Sequence, residues 1–140
     1  SMGFAAPATL GAHVARDDCR VVSIIGDGAF QMTCMELSNV VRRGFCPIVI
    51  VLDNGGYGTE RFLHAGDYDY NDIHRWNYAK LPKVLGGGTG YRVRTEGEFD
   101  EALNEAWADA SGMSLIQVQI AEDDSSQALK RLAEKMSLHV

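Results

Sequence analysis

The sequence predicts an α/β domain built on a mostly parallel sheet with helices on both faces. Three observations lead there. Four short apolar runs rich in β-branched residues alternate with segments whose apolar residues recur at helical spacing, the order expected of crossover units. The runs are continuous rather than alternating, as in strands covered on both faces. Glycines punctuate the segment ends, where helices stop and strands turn.

Each element has its own signal. Pro7 to Arg16 predicts a helix with small residues for close packing, and RVVSII, Arg20 to Ile25, a buried strand. After GDG, the segment Ala29 to Arg43 places Phe30, Cys34, Leu37 and Val41 on one helical face, with Gly44 as a natural stop. PIVIVL, Pro47 to Leu52, is a second buried strand. From Asp53 to about Tyr78 the chain is rich in Gly, Asp and Tyr, with a short helix starting near Gly58 or Thr59. A connection this long inside one domain is usually functional or disordered. NYAKLPKVLGG predicts a short helix ending at Gly86, and YRVRT a strand. Thr95 with Glu98 forms a capping-box signature before a helix from Glu96 to Ala110, whose Phe99, Leu103, Ala106 and Ala110 share a face. SLIQVQI, Ser114 to Ile120, is the last strand, and Ser125 to Met136 a closing helix.

Composition narrows the function. A chain of 140 residues fits one domain, which buries roughly two-thirds of the surface its unfolded form exposes. The apolar runs are far too short to span a bilayer, so no membrane partner is expected. A formal net charge of -6 without a basic stripe argues against nucleic acid. Cys19, Cys34 and Cys46 are odd in number and lack C-x-x-C spacing, which predicts reduced, mostly packed thiols and a cytoplasmic location. The opening SMGFAAPATLGAHVA has no positively charged stretch and does not read as a secretory signal. DYDYND lacks the glycine of a calcium-binding loop, and GGGTG lacks the strand-first context of a dinucleotide fingerprint.

The chemistry gathers at two strand ends. In open parallel sheets ligands collect beyond the carboxyl ends of the strands, and two such ends carry polar glycine-rich turns, GDGAF and DNGGYGTE. Asp27 and Asn54 are separated by 26 positions, 28 to 53, the length of a helix and a strand. Neighbouring strands would set the two turns side by side. A carboxylate, an amide oxygen and close-approaching backbone suit Mg²⁺, which takes few protein ligands and shares the rest of its octahedron with phosphate oxygens. Asp27 also fits a cap on the helix that follows.

GDG at this spacing from DNGGYGTE resembles the thiamine diphosphate motif of the 2-oxo acid decarboxylases, the pyruvate, indolepyruvate and phenylpyruvate decarboxylase family. SMGFAAPATLGA is similar to the segment that enters the cofactor site in that family, and YNDIHRWNY and VRTEGEFDEAL resemble its later parts. The resemblance implies a thiamine diphosphate-binding fold lacking its first strand, with residues 1–140 forming a single partial domain. It implies Mg²⁺ ligated by Asp27, Asn54 and the Gly56 carbonyl. Gly28, Ala29, Gly58 and Thr59 would present N–H groups to the diphosphate, with Gly26 allowing close approach.

Met2 matches the apolar residue that wedges under the cofactor, although it fits a start methionine as well. Glu60 matches an active-site carboxylate near the substrate, although it also fits a first-turn helix carboxylate. The chain departs from the family at Ala29, often Ser or Thr, and at Asp53, usually Asn. The implied reaction is non-oxidative decarboxylation of a 2-oxo acid to an aldehyde. The family draws on a pyrimidine-binding domain from a partner subunit, which these residues do not contain. The chain is therefore expected to be a portion inactive alone and to self-associate. The alternative is a non-catalytic remnant, or a small subunit awaiting a separately encoded partner.

Overall fold

The computed structural model describes residues 1–64 and 66–137. The elements in chain order are α1 (Ala5–Ala15), β1 (Val22–Gly26), α2 (Asp27–Thr33), α3 (Leu37–Arg42), β2 (Ile48–Asp53), α4 (Gly58–Leu63), α5 (Leu81–Val84), β3 (Thr89–Val93), α6 (Glu96–Ala108), β4 (Ser114–Gln119) and α7 (Gln127–Ser137). Single 3₁₀ turns occupy Cys34–Glu36, Asp69–Asn71 and Tyr78–Lys80.

The four apolar runs form one parallel sheet in the order β1-β2-β4-β3. Alternate residues of the central strands pack on opposite faces. Val49, Val51 and Leu115 join Phe30, Leu37, Val40 and Tyr78 on the side of α1, α2 and α3. Ile48, Ile50 and Ile116 join Ala102 and Ala106 of α6 on the other. Burial on both sides explains why PIVIVL and SLIQVQI carry no period-two alternation. The α/β expectation, with helices on both faces, holds.

Several details differ. β1 is an edge strand in which Ile25 is buried while Val22 and Ile24 are exposed; its β-branched composition reports strand propensity, which edge and central strands share. The helix expected over Ala29–Arg43 starts at Asp27 and breaks at Thr33, whose φ of -140° leaves the helical region. Phe30, Cys34 and Leu37 still reach the core, with Val41 partly buried. The third strand lies two residues earlier than YRVRT implies, because Thr89 and Gly90 pair with Ser114 and Leu115. The capping box at Thr95 and Glu98 is formed, with both reciprocal bonds present. That helix ends at Ala108, so Ala110 lies exposed beyond it, and the buried position missed is Ala102. Among the described residues no helix is long and apolar enough to cross a membrane.

Candidate functional site

The register of β1 against β2 places the two glycine-rich turns together. Gly26 pairs with Leu52, so the chain leaves both strands at one level of the sheet. Asp27 opens α2 at the end of β1 and is fully buried. Its Oδ1 accepts from the Gly28 N–H at 2.8 Å and its Oδ2 from the Gly55 N–H at 2.7 Å. The residue in the N-cap position is Gly26, which corrects the reading of Asp27 as the cap. The carboxylate instead ties the first turn of α2 to the turn after β2. Burial pushes its carboxyl above the usual range, against the pull of the Gly55 and Gly28 N–H groups, and the nearby Asp53 charge adds to the rise.

Asn54 and Gly56 complete the cluster. The amide oxygen of Asn54 faces other acceptors; turned over, its nitrogen donates to the Gly56 carbonyl at 2.9 Å and to Asp27 Oδ1 at 3.1 Å. An amide position that meets two oxygens accepts either an N–H₂ group or an oxygen sharing a cation with them. A Cβ on Gly58 would stand 2.5 Å from the other end of the Asn54 amide, so the amide fits because position 58 is glycine. Arg61 of α4 takes up the neighbouring carbonyls, donating to Asn54 O at 3.3 Å and Gly55 O at 3.0 Å, and pairs with Asp72 at 2.5 Å. Gly56 O also accepts from the Gly58 N–H at 3.1 Å, its other lone pair facing the Asn54 amide.

A cleft of about 490 Å³ opens above this cluster. Met2, Gly26, Gly28, Ala29, Asn54, Gly56, Gly58, Thr59 and Glu60 all line it, with Asp27 buried beneath. The structure thus brings together every residue singled out from the sequence. Two of the expected N–H donors are engaged within the protein: Gly28 with Asp27, and Gly58 with Gly56. Met2 is half exposed at the rim, in a segment tied down by a bond from the Thr33 hydroxyl to Gly3 O at 2.7 Å. Glu60 lies 3.5 Å from His64, one helical turn away.

Sequence reasoning missed the opposite wall. Ile120, Asp124, Ser125, Ser126 and Leu129 line the cleft where the chain leaves β4 and enters α7. No motif marks them, but β4 lies beside β2, so the strand-end rule that selected the first two turns applies to this one as well. Among the described residues no group of three His, Cys, Asp or Glu side chains converges to hold a metal. The oxygen cluster contains one carboxylate, one amide and one backbone carbonyl.

Comparison with known proteins decides what this arrangement belongs to. Residues 1–118 match the family model described as the thiamine pyrophosphate enzyme, C-terminal TPP binding domain. The chain belongs to this family. The thiamine pyrophosphate-binding domain is 39% identical over 139 residues to alpha-keto-acid decarboxylases of Mycobacterium tuberculosis (strain ATCC 25618 / H37Rv) and Mycobacterium avium (strain 104), covering 98% of this chain and 25% of each relative. It thus spans about a quarter of the length of these curated relatives. Among solved structures it is similar to the thiamine diphosphate-dependent 4-hydroxybenzoylformate decarboxylase of Rhodococcus jostii RHA1, with a TM-score of 0.76 and 29% identity over 89% of this chain and 24% of that one. Benzoylformate decarboxylase from Polynucleobacter necessarius gives the same TM-score and coverage at 25% identity.

Proposed function

We propose that this domain anchors thiamine diphosphate through Mg²⁺ as part of a 2-oxo acid decarboxylase. The observation that carries the proposal is the convergence of Asp27 Oδ1, Gly56 O and the Asn54 amide at the floor of the cleft. Octahedral Mg²⁺ with ligands at about 2.1 Å sets adjacent ligand oxygens about 3.0 Å apart. The Asn54 position lies 2.9 and 3.1 Å from the other two. The donor set suits the ion: one carboxylate, two neutral oxygens, and room for phosphate oxygens and water above.

In this reading Asp27, Asn54 and the Gly56 carbonyl hold Mg²⁺, and the backbone of Gly28, Ala29, Gly58 and Thr59 faces the diphosphate, the Ala29 and Thr59 N–H groups bonding it. Gly26 admits the close approach. Met2 supports the cofactor from the rim, and Glu60 holds or moves a proton beside the substrate. Bound thiamine diphosphate supplies the electron sink for loss of carbon dioxide from a 2-oxo acid, which leaves as an aldehyde. The alpha-keto-acid and benzoylformate decarboxylases among the relatives support the substrate class.

Calorimetry tests the anchor. Thiamine diphosphate is expected to bind only when Mg²⁺ is present, and Asp27→Ala is expected to abolish that binding; unchanged binding by Asp27→Ala would remove the metal assignment. The domain alone is expected to form no aldehyde from pyruvate, phenylpyruvate or indolepyruvate, since the proposal leaves cofactor activation to a pyrimidine-binding domain. Self-association belongs to the same proposal. It is supported by the unpaired edge of β1 and by Ile24, 62% exposed on it. A monomer in light scattering would count against it. The free thiols of Cys19, Cys34 and Cys46 fit a reducing, cytoplasmic setting.

A further inference from the structure

A second polar cluster lies behind the turn that carries Asn54 and Gly56. Asp53, the last residue of β2, is 1% exposed. Its Oδ2 accepts from Gln117 Nε2 at 2.7 Å and Gln119 Nε2 at 3.3 Å, both from β4. Its Oδ1 has no hydrogen-bond partner among the described residues, and Arg75 Nη1 stands 3.7 Å away. Arg75 also donates to Glu122 at 2.9 Å, beyond the end of β4. Between these two carboxylates its guanidinium lies against Gly55. A Cβ at that position would be 2.6 Å from Nη2, 2.8 Å from Nε and 3.0 Å from Cζ. Both nitrogens lie nearer than Cζ, so the Nε–Nη2 edge of the group is turned toward Gly55. The Ile73 N–H donates to Gly55 O at 3.2 Å, so the segment bearing Arg75 is laced to the same residue.

This arrangement is poorly explained by stability. A buried carboxylate is costly to desolvate and is offset only by close, fully satisfied pairing. Asp53 keeps one oxygen without a hydrogen bond and its ion pair is long. What the pair does achieve is mechanical. It holds the edge of a cation against Gly55, whose φ of +78° sets the bend between Asn54 and Gly56.

We propose that Arg75, held between Asp53 and Glu122, is a positioning residue that fixes the Asn54–Gly56 turn in its metal-binding conformation. The proposal rests on the Mg²⁺-diphosphate reading of that turn. Arg61 secures the carbonyls of Asn54 and Gly55, and Arg75 sets its guanidinium edge against Gly55. Between them the Gly56 carbonyl and the Asn54 amide remain turned toward Asp27.

The test uses Arg75→Met, Arg75→Lys and the double variant Asp53→Asn with Arg75→Met. Two readouts apply: Mg²⁺ affinity by calorimetry with thiamine diphosphate present, and amide hydrogen exchange at Gly55 and Ile73 without either ligand. Arg75→Met is expected to weaken Mg²⁺ binding about tenfold, the usual effect of removing a group that orients a metal ligand, and to speed exchange at both amides. The double variant is expected to regain unfolding stability, because no unpaired carboxylate remains buried, yet not Mg²⁺ affinity. Arg75→Lys keeps the charge but not the guanidinium edge and is expected to fall between. Wild-type affinity together with wild-type exchange in Arg75→Met and the double variant would overturn the proposal. Failure of the parent to bind the cofactor with Mg²⁺ would strike the underlying reading instead. The exchange rates would then still decide the clamp, faster exchange supporting it and unchanged exchange refuting it.

Discussion

Gly56→Ala separates what the site needs from what the fold needs. Gly56 has φ +155°, and a Cβ there would overlap the Asn71 carbonyl oxygen and stand 2.6 Å from Arg61 Nη2. The residue is also bridged to Asp72, and the adjoining Tyr57 N–H donates to Asn71 O at 2.8 Å. Forcing alanine into this conformation costs about 1–3 kcal/mol, and giving up the Tyr57 bond costs about 1 kcal/mol. The upper end of that strain, about 3 kcal/mol, is relieved when the turn swings away from residues 71–73, and the lost Tyr57 bond leaves a net of about 2 kcal/mol in favour of opening. That opening leaves the binding-competent turn a minor conformer. Its apparent affinity should drop by about thirtyfold, since each 1.4 kcal/mol is about tenfold. The unfolding midpoint should move by less than the equivalent of about 1 kcal/mol, the cost of an exposed rearrangement rather than of a disrupted core. Calorimetry with thiamine diphosphate and Mg²⁺, paired with urea unfolding followed by tryptophan fluorescence, reads both numbers. Wild-type affinity in Gly56→Ala would refute the role of the turn, and equal losses of affinity and global stability would refute its local character.

Gly90→Ala should behave in the opposite way. Its Cβ would overlap the Ala79 carbonyl beside the fully buried Tyr78, and overpacking at a core boundary costs about 3 kcal/mol, read as a lower urea midpoint. Thr95→Ala removes the side-chain acceptor of the Glu98 N–H in the capping box and should cost about 1 kcal/mol of stability in the same assay. His13 gives a pH signature. Burial, and then the charge of Arg20, hold its pKa below the ordinary value. From about pH 6.5 downward the unfolded chain therefore binds more protons than the folded one, and stability is lost on acidification until the folded-state value is passed. His13→Gln should flatten that part of the stability curve in urea titrations between about pH 5 and pH 7, and an unchanged slope would remove His13 as its source.

The sequence disclosed the parts of the site that local chain geometry determines. Asp27 and Asn54 each stand one residue beyond an apolar run, and a strand fixes where its next residues emerge. The pairing of β1 with β2 then set the two residues within hydrogen-bonding distance. Element boundaries were less readable, because the break at Thr33 and the shortening of α6 follow from tertiary packing and not from period or composition. The exposure of β1 was invisible for the same reason: Val22 and Ile24 have the composition of covered residues, and their position at the sheet edge depends on the order of the other strands.

The remaining lesson concerns residues that act on the turn without following a strand. Arg61, Asp72, Arg75 and Glu122 lie between 5 and 66 positions beyond Gly56, and none belongs to the glycine-rich motif. Yet Arg61 bonds the carbonyls of Asn54 and Gly55 and Arg75 fills the space a side chain at Gly55 would take, while Asp72 and Glu122 hold the two guanidinium groups. Glycine at 55, 56 and 58 makes such contacts feasible, since a side chain there would displace Arg75, Asn71 or Asn54 respectively. The same glycines leave the turn free to bend, and an unrestrained turn would offer its carbonyls in many directions. The motif therefore supplies ligand chemistry and close approach, while distant arginines supply rigidity. A glycine-rich turn that must present one carbonyl to a cation needs both, and the sequence separates the two requirements into motif and background.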